Sequence, residues 1–154
     1  MTTTTTTTTS YDTPALLNLL PHRPPILMID RLEVAEDGSS ATGYKSIGID
    51  EPCFQETEAT GSKAYPHALI VESLGQAAAA LWLHREAGSP EAAGTLYFAK
   101  AEGVTFLRDV FPGDELVHEI RFDRSIRGTA FMSGRTLLNG EQVTVVESII
   151  AAAR

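Results

Sequence analysis

One long apolar stretch, residues 65–88, constrains this chain more than any other feature of its sequence. It predicts a helix, because Pro66 suits a first turn, Ala and Leu dominate the interior, and Gly88 suits a C-terminal cap. Its apolar residues leave no wide polar face, which is typical of a buried helix. Glu72 and Gln76 nevertheless lie inside it, four residues apart and therefore on one facet. Since a buried carboxylate is costly unless it is paired, hydrogen-bonded or lines a cavity, Glu72 marks the candidate functional site.

Composition and charge narrow the possible classes of function. The chain of 154 residues is long enough for one domain with a sizeable core, and its net charge of −8 argues against nucleic acid and anionic membranes as partners. The single cysteine, Cys53, excludes an internal disulfide and indicates a reducing, cytoplasmic location. No stretch approaches the length of a membrane span, and the four histidines have no metal-ligand spacing. We therefore expect no membrane span, no metal and no cofactor.

The order of the predicted elements gives the fold class. Residues 1–12 are rich in threonine and have little apolar surface, so we predict that they are disordered ahead of one domain, residues 13–154. A short helix with Thr13 as its N-cap precedes two strands, the long helix and a meander of long strands. The first strand after the long helix is predicted to break near residues 100–102, and residues 139–140 are the strongest hairpin signal. This order predicts an α+β fold with one antiparallel sheet wrapped around the helix.

Four segments together resemble one protein family, and they follow the expected order within roughly residues 15–152. They are Leu-Pro-His-Arg…Asp-Arg at 20–31, Asp-Glu-Pro-Cys-Phe-Gln at 50–55, Leu-Ile-Val-Glu-Ser-Leu-Gly-Gln-Ala-Ala at 69–78, and Phe-Leu-Arg through Val-Phe-Pro-Gly-Asp-Glu-Leu at 106–116. The pattern is similar to that of the 3-hydroxyacyl-[acyl carrier protein] dehydratases of the FabZ type, which have the hot-dog fold. The resemblance places Glu72 at the position of the family's catalytic glutamate.

The resemblance implies a dimer in which two helices lie side by side under one continuous sheet, with active sites at the interface. It implies that a histidine of one subunit removes the proton next to the thioester, while Glu72 of the other protonates the leaving hydroxyl and Gln76 supports it. Backbone N–H groups at the helix start polarise the thioester carbonyl. The implied substrate is a 3-hydroxyacyl thioester on an acyl carrier protein, converted to a 2-enoyl thioester in fatty-acid or polyketide biosynthesis.

The sequence departs from the family in the loop before the helix. The family's catalytic histidine lies in Gly-His-Phe-Pro-Gly after the Phe-Gln pair, whereas this chain has Glu-Thr-Glu-Ala-Thr-Gly, with Thr57 at the position of the histidine. The segment up to Glu72 is also one residue longer, and His67 replaces the glycine whose backbone approaches the thioester. Threonine is no base near neutral pH, so a homodimer of this chain would lack the family's acid–base pair.

Three interpretations follow from this departure. In the first, the chain is one subunit of a heterodimeric dehydratase and contributes Glu72 and Gln76, while its partner supplies the histidine. In the second, the chain acts alone, with His67 as a replacement base or with Glu72 as the base of an isomerase or thioesterase. In the third, it is a non-catalytic structural or acyl-binding partner of an active dehydratase.

The remaining candidates surround the helix in sequence. Residues 50–64 are predicted to form a loop that walls the site. The candidate substrate-binding residues are Cys53, Thr57, Tyr65, His67 and Ala68. We predict a structural role for His22, and surface or dimer-contact positions for His84 and His118.

Overall fold

The computed structural model describes residues 8–55, 63–87 and 96–153, which form one antiparallel sheet around a long helix. The helices are α1 (Thr13–Leu19), α2 (Pro52–Gln55) and α3 (His67–Arg85). The strands are β1 (Thr8–Tyr11), β2 (Arg31–Ala35), β3 (Ser40–Ser46), β4 (Leu96–Phe106), β5 (Glu115–Ile126), β6 (Thr129–Leu138) and β7 (Glu141–Ala153). The seven strands lie in the order β1-β2-β3-β5-β6-β7-β4. The predicted α+β fold, a sheet wrapped around a central helix, is confirmed.

The predicted central helix is α3, which begins after Pro66 and ends at Arg85 with Glu86 as its C-cap, while Gly88 lies outside the described residues. Its interior is buried along several turns, which is the environment that the apolar sequence predicts. Gly43 of β3 lets the sheet approach the helix closely, because a Cβ there would lie 2.8 Å from the Cβ of Ala77. Within the described ranges, no helix is long and apolar enough to cross a membrane.

The N-terminal segment corrects the prediction of disorder for residues 8–12. Strand β1 pairs antiparallel with β2, and Asp12 rather than Thr13 caps α1 by accepting a hydrogen bond from the backbone N–H of Ala15. The hydroxyl of Tyr11 lies 2.7 Å from Nδ1 of His84. A low content of apolar side chains did not prevent this strand, because sheet pairing uses backbone groups that every threonine carries. Residues 1–7 lie outside the described part of the chain.

Strand β4 is continuous, whereas the sequence predicts a break near residues 100–102. A register shift between Phe98 and Lys100 absorbs the irregularity as a β-bulge, and Gly103 adopts a φ of 60° within the strand. Among the described strands, β4 pairs only with β7 and forms one edge of the sheet. In its described part, the segment predicted as a loop at 50–64 forms the short helix α2.

His118 lies in the core, which corrects its prediction as a surface or dimer-contact residue. It shares the helix-facing side of β5 with Leu116 and Ile120. Its Nε2 lies 2.9 Å from Ser73 Oγ, and its Nδ1 lies 2.9 Å from Thr136 Oγ1. Burial, assisted by the positive charge of Lys45, lowers the pKa of His118 to about 3. The imidazole is therefore neutral at physiological pH and connects α3 to the sheet.

Candidate active site

Glu72 lies in the second turn of α3, at the border between the core and solvent. Its side chain is 39% exposed, so the helix does not seal the carboxylate in an apolar interior. The side-chain amide of Gln76 donates a hydrogen bond of 2.9 Å to Glu72 Oε1, as their spacing of one helical turn predicts. One carboxylate oxygen is thus fixed by an amide donor.

Gln76 connects this carboxylate to the N-terminal segment. Its buried side chain also donates to the backbone carbonyl of Ile26 at 2.7 Å and accepts from the backbone N–H of Met28 at 2.8 Å. The amide therefore uses both of its ends, and its orientation is set by two backbone groups. Gln76 positions Glu72 and holds residues 26–28 against the helix.

A cavity of about 60 Å³ lies beside Glu72. Its lining residues are His22, Glu72, Gly75, Gln76, Ala78, Ala79, Phe98, Ile149 and Ala151. Gly75 allows the Phe98 ring to lie against the helix, because a Cβ there would be 2.7 Å from Phe98 Cε2. Most lining residues are apolar, and the polar His22 and Gln76 both lie next to Glu72, a composition typical of small-molecule sites.

His22 is the residue at this cavity that sequence reasoning missed. Its Nε2 lies 3.8 Å from Glu72 Oε1, and its side chain is 26% exposed. Its Nδ1 is buried and has no hydrogen-bond partner among the described residues. The available signal was the Leu-Pro-His-Arg motif, but no local pattern relates this motif to α3, because contacts through Gln76 bring the two segments together.

His67 and Ala68 lie in the first turn of α3 and do not line the Glu72 cavity. The Nε2 of His67 lies 3.0 Å from Asp109 Oδ1, and its ring stacks on Phe106 with 4.3 Å between centroids. Ala68 is exposed. The His67 ring therefore contacts an exposed carboxylate and an aromatic ring, away from the cavity beside Glu72.

Cys53 and Tyr65 lie together in a second apolar cluster, apart from the lining of the Glu72 cavity. Burial raises the pKa of the Tyr65 hydroxyl, and the nearby Glu51 carboxylate raises it further. Burial also raises the pKa of the Cys53 thiol, which disfavours the nucleophilic thiolate. These two residues are suited to packing. Thr57, the fifth candidate for substrate binding, lies outside the described residues.

A second concavity on the sheet and a metal site are the other candidates considered for the described residues. A more open concavity of about 600 Å³ lies over strands β3, β5, β6 and β7. Its Glu119 and Arg135 are already paired with each other at 2.6 Å. In residues 8–55, 63–87 and 96–153, no group of three or more His, Cys, Asp or Glu side chains could hold a metal ion.

The central helix thus carries a carboxyl that is held by an amide beside an imidazole and a mainly apolar cavity. The chain belongs to the FabA-like domain family, which it matches over residues 20–147. It is 35% identical over 139 residues to the 3-hydroxyacyl-[acyl-carrier-protein] dehydratase FabZ of Proteus mirabilis (strain HI4320), covering 90% of this chain and 91% of that protein. It is 35% identical over 136 residues to the FabZ dehydratase of Thiobacillus denitrificans (strain ATCC 25259 / T1), covering 88% and 93%.

The fold is similar to a solved structure, the dehydratase heterocomplex ApeI:P from Xenorhabdus doucetiae. The TM-score is 0.73 and the match covers 90% of each chain. The sequence identity is 13%, so this likeness bears on the fold alone. The predicted hot-dog fold and homology to the FabZ hydro-lyases are confirmed, and the roles of individual residues stay predictions.

Proposed function

We propose that this chain is one subunit of a heterodimeric dehydratase that removes water from 3-hydroxyacyl thioesters on an acyl carrier protein. The product is the 2-enoyl thioester, in fatty-acid or polyketide biosynthesis. One observation carries the proposal: Gln76 holds Glu72 beside an apolar cavity in a homologue of FabZ dehydratases. That Thr57 takes the place of the family's catalytic histidine is the sequence-based expectation on which the need for a partner rests. The partner subunit supplies that histidine.

The elimination needs a base that acts at C2 of the substrate and an acid that acts on the hydroxyl at the neighbouring C3. The partner's histidine takes the proton from C2, and the electron pair of that bond forms the C2=C3 double bond as the C3–O bond breaks. Glu72 in its protonated form gives its proton to the departing hydroxyl, which leaves as water. Gln76 orients the Glu72 carboxyl through its hydrogen bond of 2.9 Å to Oε1.

The sheet edge explains how a second subunit can complete this site. Phe98 belongs to the edge strand β4 and also lines the Glu72 cavity. It is about half exposed, as is its neighbour Tyr97. A hot-dog subunit that pairs with β4 would cover these rings and stand next to Glu72. The fold occurs in a dehydratase heterocomplex, that of Xenorhabdus doucetiae, and this supports assembly with a different subunit.

The test is the substitution Glu72→Gln in the complex of this chain with a histidine-bearing hot-dog homologue from the same genome. Dehydration of 3-hydroxybutyryl-acyl carrier protein is followed by mass spectrometry. Loss of the acid should lower kcat by about a hundredfold or more, as general acid catalysis typically contributes. Glu115→Gln, an exposed carboxylate on β5, is the matched control and should retain wild-type turnover.

Two results would contradict the proposal. Full turnover in Glu72→Gln would make this chain a structural or acyl-binding partner. Release of the free 3-hydroxy acid in place of the 2-enoyl thioester would indicate a thioesterase that uses Glu72.

A further inference from the structure

His22 is the second ionisable side chain at the cavity, and the dehydration proposed above gives it no role. Its Nε2 lies 3.8 Å from Glu72 Oε1, whereas its Nδ1 is buried and unpaired among the described residues. Burial of an unpaired ring nitrogen is unfavourable, so a histidine is a poor choice here if its only function is to support the fold. A function of His22 must therefore come from Nε2, the ring nitrogen that faces Glu72.

Among the described residues, two side chains have a polar atom within 4 Å of Glu72 Oε1, namely Gln76 and His22. The Gln76 amide donates a hydrogen bond but does not release its proton at physiological pH. An imidazole, unlike an amide, can both give and take a proton at its ring nitrogens. Its partial exposure also gives the ring contact with solvent. His22 thus places a second proton donor, besides solvent, near the anchored oxygen of Glu72.

We infer that His22 returns the proton that Glu72 loses in each turnover, an inference that rests on the proposed dehydration. After water leaves, Glu72 is a carboxylate and the partner's histidine carries the C2 proton. Once the two side chains close from 3.8 Å to hydrogen-bond distance, as catalytic pairs do in the substrate complex, protonated His22 transfers the proton on Nε2 to Glu72 Oε1 and becomes neutral. It then takes a proton from solvent, while the partner's histidine releases one to solvent. The cycle consumes no proton and needs no other reactant.

His22 acts through Glu72 and is a positioning and proton-transfer residue rather than a catalytic one. The test uses the full complex with 3-hydroxybutyryl-acyl carrier protein and compares His22→Gln with wild type. The matched control is His84→Gln, since His84 is also partly buried but its ring is hydrogen-bonded to Tyr11, away from Glu72. The rescue arm uses His22→Ala with added imidazole. His22→Ser takes its place if the alanine variant does not assemble with the partner.

For His22→Gln we expect kcat to fall by at least about tenfold. KM should stay within about twofold of wild type, and the melting temperature should be no lower than that of wild type. Imidazole should restore part of the lost kcat in His22→Ala and should not affect wild type. A residue with a purely structural role would show the reverse pattern, a lower melting temperature and no rescue.

Wild-type kcat in His22→Gln would overturn the inference, and so would a loss that imidazole leaves unchanged or that His84→Gln reproduces. These results are separable from a failure of the proposed function. If Glu72→Gln abolishes turnover while His22→Gln retains it, dehydration through Glu72 stands and only the role of His22 falls. If Glu72→Gln retains turnover, the proposed function falls as well.

Discussion

Gln76→Leu tests whether one buried amide both stabilises the fold and positions the carboxylate. Leucine has a similar size and fits the apolar surroundings, so the change removes hydrogen bonds without opening a large cavity. The substitution deletes the bonds from Gln76 to the Ile26 carbonyl, the Met28 N–H and Glu72 Oε1.

The expected loss of stability follows from the exposure of the groups left behind. Met28 is 7% exposed, so its N–H stays unpaired in the core, at a cost of about 1–3 kcal/mol. Ile26 is 50% exposed and Glu72 is 39% exposed by side chain, so their oxygens can bind water. These two losses add about 0.5 kcal/mol each at most. Together these terms lower the free energy of unfolding by about 1–4 kcal/mol, and we expect Tm to fall by about 2–16 °C.

Urea denaturation followed by circular dichroism measures this change, and Gln142→Leu is the control because Gln142 is exposed on β7. The control should lie within about 0.5 kcal/mol of wild type. A Gln76→Leu variant as stable as the control would refute the reasoning, because the three bonds would then contribute nothing net. Turnover of its complex should also fall, since Glu72 loses its donor.

Two further predictions concern buried ionisable side chains. The folded state disfavours protonated His118, so the stability that its neutral form contributes is fully present above about pH 6.5. The free energy of unfolding should therefore fall by about 2 kcal/mol between pH 6.5 and pH 5. His118→Gln should show a shallower dependence in denaturant titrations at the two pH values, and equal slopes would contradict the assignment. Lys45→Met should cost about 3 kcal/mol because it removes the cationic partner of Glu51, and adding Glu51→Gln should recover part of the loss in a double-mutant cycle. An additive cycle would mean that the pair is not coupled.

The central helix and the Glu72–Gln76 contact could be predicted from sequence because both depend on local spacing. A run of apolar residues gives the buried helix, and a separation of four residues stacks the two side chains. The family motifs add the fold, since they place the strands in order around that helix. These features need no knowledge of distant contacts.

His22 and strand β1 could not be predicted because both depend on pairings between distant segments. The Leu-Pro-His-Arg segment reaches α3 only when Gln76 holds the backbone of Ile26 and Met28. Strand β1 forms by pairing with the backbone of β2. The threonine run has no apolar pattern from which this pairing could be predicted. His118 is different, because its alternation with Leu116 and Ile120 already indicated an inward-facing position.

The most direct test of the shared site is complementation between two inactive subunits. The wild-type chain is mixed with a histidine-bearing hot-dog homologue whose own helix glutamate is changed to glutamine. The one complete acid–base pair in the mixture then combines Glu72 with the partner's histidine. Neither protein alone should dehydrate 3-hydroxybutyryl-acyl carrier protein, and the mixture should. A mixture no more active than the sum of its separate components would contradict the shared site.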